Sequence, residues 1–324
     1  MCYKEELQKK NKEKLQKRFD DENIPFFIQK FFLSLYSKAG AINYWVVIRD
    51  LLIWLMKEKI INKTYLSDIE PNDFYKIDPV DITLYLQSKE ESMAKSTIKM
   101  RKNVISSFWN YLIYSSECPV EKNIIKAVKY RSCSVNKNLV EKVPTEEQLK
   151  EMEEKLSKKN DEFLRNRNLA IFLLLKGSGI RETELVGLDL DDLFLNEDIP
   201  YIRIIGKGMY HENESRDVKI TKSAADSVKE WLEIRNEFEE LQDVQAVFVT
   251  KKGRRILESE IRSLFKNNSN GVTPHMIRHW YATIMQSKGR GLFAQQQLGH
   301  SSLSTTTNNY IDASYGMKDV LESM

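Results

Sequence analysis

The chain has 324 residues, 41% of them hydrophobic and 30% charged, a length that calls for two domains and a composition that excludes a disordered polypeptide. No uninterrupted apolar run reaches the ~18–20 residues of a membrane span, and the opening MCYKEELQKKNKEKLQKRF lacks an apolar signal core, so a cytoplasmic location is expected. Net charge is only +3, yet residues 92–140 hold nine Lys and Arg against two Asp and Glu, while residues 1–91 carry fifteen of each. Such a concentrated basic stretch fits a nucleic-acid contact, or, read more blandly, a solvated helix face.

Residues 1–22 read as a charged helical extension with little apolar face. From residue 23 to 120 apolar residues recur near the 3.6 period: Phe26, Phe27, Phe31, Phe32 and Leu35, then Ile42, Trp45, Val46, Leu52 and Leu55. A further helix, Ser96 to Tyr114, sets Val104, Ile105, Phe108 and Leu112 on its apolar face and basic residues in its first turns. No strand pattern appears, so this is an all-α domain. Residues 121–143 mix basic and small polar residues with weak periodicity, as a basic linker does.

A second domain, residues 144–324, opens at Pro144-Thr145-Glu146-Glu147, with Thr145 as helix cap. An apolar helix, Asn166 to Lys176, closes at Gly177-Ser178-Gly179. Tyr201–Ile205 and Asp217–Ile220 form a hairpin in outline around a glycine-flanked loop, and Val247–Thr250 is a brief strand-like run. Ala224 to Phe238 is helical, and Thr273-Pro274 opens another helix as cap and first-turn proline. Cys2, Cys118 and Cys133 are scattered and read as reduced thiols.

Three clusters carry chemistry. In Gly179-Ile180-Arg181-Glu182-Thr183-Glu184, the glycine ends one helix and leaves Arg181 at the mouth of the next, where its fork and free helix amides suit a phosphate. In Thr273-Pro274-His275-Met276-Ile277-Arg278-His279, His275 and Arg278 share a helix face. His275, His279 and His300 could be read as zinc ligands, but the HxxxH lacks the glutamate of a zinc-protease helix and no cysteine or carboxylate cluster is near. The third cluster, Leu298-Gly299-His300-Ser301, runs on to Asn309-Tyr310-Ile311; taken singly, Tyr310 is one tyrosine among fourteen.

Together and in this order, the clusters resemble the catalytic signature of the tyrosine recombinase (phage integrase) family, close to its XerC/XerD-like and transposon integrase branches. Ser96-Thr97-Ile98 with Phe108-Trp109-Asn110-Tyr111-Leu112 is similar to the family's core-binding domain, and Gly206-Lys207-Gly208 to its hairpin lysine loop. The resemblance spans roughly residues 25–315. It implies a mainly α fold with a small antiparallel β-sheet: an all-α core-binding domain and a mixed α/β catalytic domain forming a C-shaped clamp on DNA.

The same resemblance assigns Arg181, Lys207, His275, Arg278 and His300 around a scissile phosphate, Tyr310 as nucleophile and Glu184 as support. It implies site-specific cleavage and rejoining of double-stranded DNA through a 3′-phosphotyrosyl link, with no metal, ATP or other cofactor. Type IB topoisomerases share this chemistry, and a silent DNA-binding relative is the non-enzymatic alternative. Lys95, Thr97, Lys99, Arg101, Lys102, Lys126, Lys129 and Arg131 are the expected DNA contacts. A homotetramer on synapsed DNA, a monomer or weak oligomer when free, and a bacterial, nucleoid-associated setting complete the implication. Two spacings depart from the pattern: one residue more than usual separates His300 from Tyr310, and one fewer separates His275 from His300. Tyr315 is the rival nucleophile.

Overall fold

The computed structural model describes residues 3–118, 120–128, 143–205, 215–238 and 241–299. Two compact units divide the chain, residues 1–136 and 137–324.

The first unit is helical: α1 (Tyr3–Asp21), α2 (Phe26–Ser34), α3 (Lys38–Lys57), α4 (Pro79–Gln87) and α5 (Lys95–Tyr114). Its core is rich in rings. Trp45 receives Phe19 and Phe32 edge-on at 5.2 and 5.3 Å between centroids, and Phe108 meets Phe31 at 5.2 Å and Phe74 at 5.7 Å. Edge-to-face contacts of this kind add to the burial energy of each ring.

Two sequence expectations change here, and the hydropathy of one helix is explained. The N-terminal helix is no loose extension, because Leu15 and Phe19, four apart on one face, are fully buried in this core. Two apolar residues among so many charges are easily overlooked, yet they suffice to anchor the helix. The supposed linker also begins later than residue 121. Ile125 and Val128 belong to the same core, and Asn123 donates to the backbone carbonyl of Ser106 and to Asn110 Oδ1 on α5. Finally, α3 as a whole is long and apolar enough to cross a membrane by length and composition, although Arg49 and Asp50 interrupt its apolar run. Its Trp45, Ile48, Leu51, Leu52 and Leu55 face the helical core, which accounts for that hydropathy.

The second unit is mixed. Asp161 caps α7 (Glu162–Ser178), and Thr145 and Gln148 cap α6 (Glu146–Ser157) reciprocally, as the sequence foretold for Thr145. A short α8 (Glu182–Val186) leads to an antiparallel sheet of β1 (Leu193–Phe194), β2 (Tyr201–Ile205) and β3 (Ser215–Lys219), in that spatial order. Ile205 pairs with Ser215, so residues 206–214 connect the hairpin. Helices α9 (Lys222–Asn236), α10 (Glu258–Asn268), α11 (Pro274–Ser287) and α12 (Gly291–Leu298) follow. Buried α7 is the axis on which α6, α9 and α11 pack. The run Val247–Thr250 makes one isolated bridge rather than a strand: Val249 pairs with Arg255, and the chain turns back at once through Gly253. A ladder needs more paired residues than this turn leaves.

Phe108 is the packing test of the helical unit. Replacing it with Ala removes a fully buried ring that touches α2 and the Pro71–Lys76 turn. The expected cost is roughly 3–5 kcal/mol, read as a lower urea midpoint at unchanged slope. A loss below ~1 kcal/mol would mean that the core closes around the gap.

Candidate active site

Glycine opens the site. Gly179 ends α7 in a left-handed turn, φ 67°, and a Cβ there would lie 2.5 Å from the Tyr281 ring. Only a residue without a side chain lets α7 close against α11 at this point. The turn delivers Arg181 to the N-terminus of α8, where its backbone N–H donates to Glu184 Oε2 at 2.9 Å and its guanidinium Nη1 to Glu184 Oε1 at 2.9 Å.

Glu184 is the centre of the arrangement. It is 3% exposed and receives a second guanidinium, Arg216 Nη2, at 3.1 Å from each carboxylate oxygen. A third, Arg278 Nη1, lies 3.9 Å from Oε2. Burial pushes the Glu184 carboxyl up, but Arg216, the backbone N–H of Arg181 and the charges of Arg181 and Arg278 together hold it below its ordinary 4.5. Since the folded value is the lower one, the stability it contributes is complete above 4.5 and is lost as pH falls through the folded value.

Arg278, on α11, is 4% exposed and binds backbone. Its Nη1 donates to Gly179 O at 2.8 Å and its Nη2 to Leu298 O at 2.7 Å. Those acceptors end α7 and α12, where helix carbonyls lack intrahelical partners and the dipole favours a cation. One side chain thus joins the three stretches that hold the sequence clusters. His275, one turn earlier on α11, is exposed, and its Nε2 lies 2.9 Å from Nε2 of His279, with the rings edge-on. At that distance one nitrogen donates and the other accepts, so the two rings adopt complementary tautomers.

Arg181, His275 and Arg278 line a single pocket of about 650 Å³ with Thr273, Arg262 and Lys266. Arg181 keeps 30% of its side chain exposed there, whereas Arg262 is tied to Glu182 and Glu258. The structure therefore brings together four of the predicted residues, Arg181, Glu184, His275 and Arg278. Lys207, His300 and Tyr310 lie outside the described residues. Of the zinc reading, His275 and His279 meet each other. Among the described residues, no three or more His, Cys, Asp or Glu side chains converge.

Sequence reasoning missed Arg216. Its signal was positional: on β3 it shares a face with buried Val218, and an arginine on the inward face of a strand needs a buried partner. In the helical unit the error runs the other way. Arg101, expected on DNA, is 7% exposed, and its Nη1 donates to Asp50 Oδ2 at 2.7 Å and to the Tyr85 hydroxyl. Lys89 completes this cluster by donating to Asp50 Oδ1 at 3.1 Å. Burial first, then the Asp50 charge, push the Tyr85 phenol well above its ordinary value, which keeps it neutral as a donor to Asp50. Arg101 thus binds α3 to α4 and α5. Lys95, Lys99 and Lys126 are exposed, Thr97 is half-buried, and Lys102 donates to Val128 O at 2.7 Å. Lys129 and Arg131 lie outside the described residues.

Comparison with known proteins places the fold. Residues 142–317 match the phage integrase family model. Tyrosine recombinase XerC of Vibrio cholerae serotype O1 is 32% identical over 290 residues, 86% of this chain and 86% of its own. The XerC of Thermodesulfovibrio yellowstonii is 28% identical over 252 residues, 74% of this chain and 78% of its own. XerH site-specific recombinase, in its post-cleavage complex with palindromic difH substrate, shares the fold at a TM-score of 0.66 and 19% identity, over 88% of this chain and 80% of that one. A lambda integrase dimer bound to a COC′ core site does so at 0.58 and 15%, over 85% and 89%. With more than half its length matched and a curated relative 32% identical across most of both chains, this chain belongs to the phage integrase family of tyrosine recombinases.

Proposed function

We propose that this tyrosine recombinase cleaves and rejoins double-stranded DNA at a specific site through Tyr310, which attacks phosphorus and leaves a 3′-phosphotyrosyl link. Site-specific recombination itself follows from the family; the residue roles are the finer part of the reading. What carries it is the convergence of Arg181, from the start of α8, with His275 and Arg278, from α11, on one pocket with Glu184 buried beneath.

Donors fixed in advance around a phosphate act where charge develops in the transition state, the largest usual source of rate enhancement. Arg181 and Arg278 supply guanidinium donors, and Glu184 orients Arg181 without reacting. His275 assists removal of the tyrosine proton, His300 binds a nonbridging oxygen, and Lys207 protonates the departing 5′ oxygen. The covalent link conserves the energy of the phosphodiester for rejoining, so no nucleotide is consumed. Two arginines supply the charge that a metal supplies elsewhere, and the reading therefore calls for neither metal nor ATP. Lys95, Thr97, Lys99, Lys102 and Lys126 contact DNA phosphates from the helical unit, with Lys129 and Arg131, which gives steep salt dependence. The working assembly is a homotetramer on synapsed DNA.

A nicked DNA substrate that traps the cleaved strand provides the test. The protein is expected to form a 3′ covalent adduct in EDTA without nucleotide, and Tyr310→Phe to form none. An adduct persisting in that variant moves the nucleophile elsewhere, with Tyr315 next to be replaced. Arg181→Ala is expected to slow single-turnover cleavage by roughly 10²–10³-fold. Unchanged cleavage in that variant would remove Arg181 from the phosphate site.

A further inference from the structure

Arg216 lies outside the motifs that carry the family resemblance, yet it pairs with the buried carboxylate beneath the pocket. From β3 it reaches Glu184 with Nη2, 3.1 Å from both carboxylate oxygens, and the Gln297 carbonyl with Nε at 3.2 Å. The second contact ends on the last turn of α12, where Gly299 holds φ 62° and a Cβ would come within 3.1 Å of the guanidinium carbon. The arginine is 15% exposed in its side chain. Its partners are therefore internal, and water does not screen them.

We propose that Arg216 is a positioning residue for the phosphate site: it neutralises Glu184 and fixes the end of α12, leaving the charge of Arg181 and Arg278 for the scissile phosphate. This rests on the reading that those two arginines bind that phosphate.

The argument is one of charge sharing. Three guanidiniums meet one carboxylate, so the cluster carries two net positive charges toward the pocket. Against the desolvation that pushes the Glu184 carboxyl up, the charge of Arg216 is the largest single influence pulling it down. Without Arg216 the buried anion would bear on Arg181 and Arg278 alone, and it would oppose the negative charge growing on phosphorus in the transition state. Arg216 follows Lys207 closely in sequence, and its guanidinium lies against Gly299, the residue before His300. The segment 206–214, with Lys207, runs directly into β3, and His300 directly follows Gly299 at the end of α12.

The experiment is a double-mutant cycle on the full chain, read by single-turnover cleavage of the nicked substrate, equilibrium binding to the same DNA, and thermal melting. Arg216→Gln is expected to slow cleavage by roughly 30–100-fold while changing DNA affinity by less than about threefold. Glu184→Gln added to it removes the unneutralised anion and is expected to recover about tenfold of the rate. A merely structural arginine would give no such recovery, because the second change only weakens the cluster further. Should Arg216→Gln fail to fold, Arg216→Lys replaces it in the same cycle, with a smaller loss that Glu184→Gln again reduces. Cleavage by Arg216→Gln at the rate of the unaltered protein, or a double variant no faster than the single one, overturns the proposal. Absence of any Tyr310 adduct in the unaltered protein would instead overturn the function on which it rests.

Discussion

The buried carboxylate of Glu184 is the constraint from which the rest of the catalytic unit follows. An anion 3% exposed is costly unless it is paired and hydrogen-bonded, and its partners here come from three segments, one of them its own helix start. Arg181 arrives from the turn after α7, Arg216 from β3 and Arg278 from α11. The charge that pays for burying Glu184 is thus the charge a phosphate would need. A solvent-exposed set of arginines could bind an anion as well, but each would first have to be ordered. Here the ordering is done by the fold.

Fold class and clusters were legible in the sequence for different reasons. Helices announced themselves by period and caps: Thr145 and Thr273 stand where the chain begins α6 and α11. The hairpin showed as two short alternating runs around glycines, and β2 and β3 do pair antiparallel. Arg181, Glu184, His275 and Arg278 could be named because their order and spacing match a family, not because any of them stood out singly. What stayed hidden depends on tertiary pairing. Arg216 and Arg101 are both arginines whose partners are distant in sequence, Glu184 in one case and Asp50 in the other. Composition counts their charge and says nothing of whether it is already spent. For that reason the basic stretch 92–140 overstates what the helical unit offers DNA by at least Arg101.

The same limit explains the domain edges. Leu15 and Phe19 are two apolar residues on a helix crowded with lysine and glutamate, and Ile125 and Val128 are two more in a stretch that reads as linker. A local window weighs such residues by their neighbours and discounts them. The core weighs them by what they fill, and in both cases the bundle extends past the boundary that composition drew.

Arg278 and Arg181 finally differ in a way that bears on how chemistry and stability share this site. Arg278 holds the carbonyl ends of α7 and α12 with two separate nitrogens, so its side chain is at once a phosphate donor in the proposed reaction and the tie among three segments. A lysine would keep the charge but could not reach both carbonyls in the fixed geometry of the fork. Any loss of activity at Arg278 therefore mixes two causes. Arg181 makes its contacts with Glu184 within one helical turn and leaves part of its side chain open to the pocket. Local contacts of that kind can be given up without unthreading the site, so Arg181 is the position at which the proposed chemistry is separable from the fold.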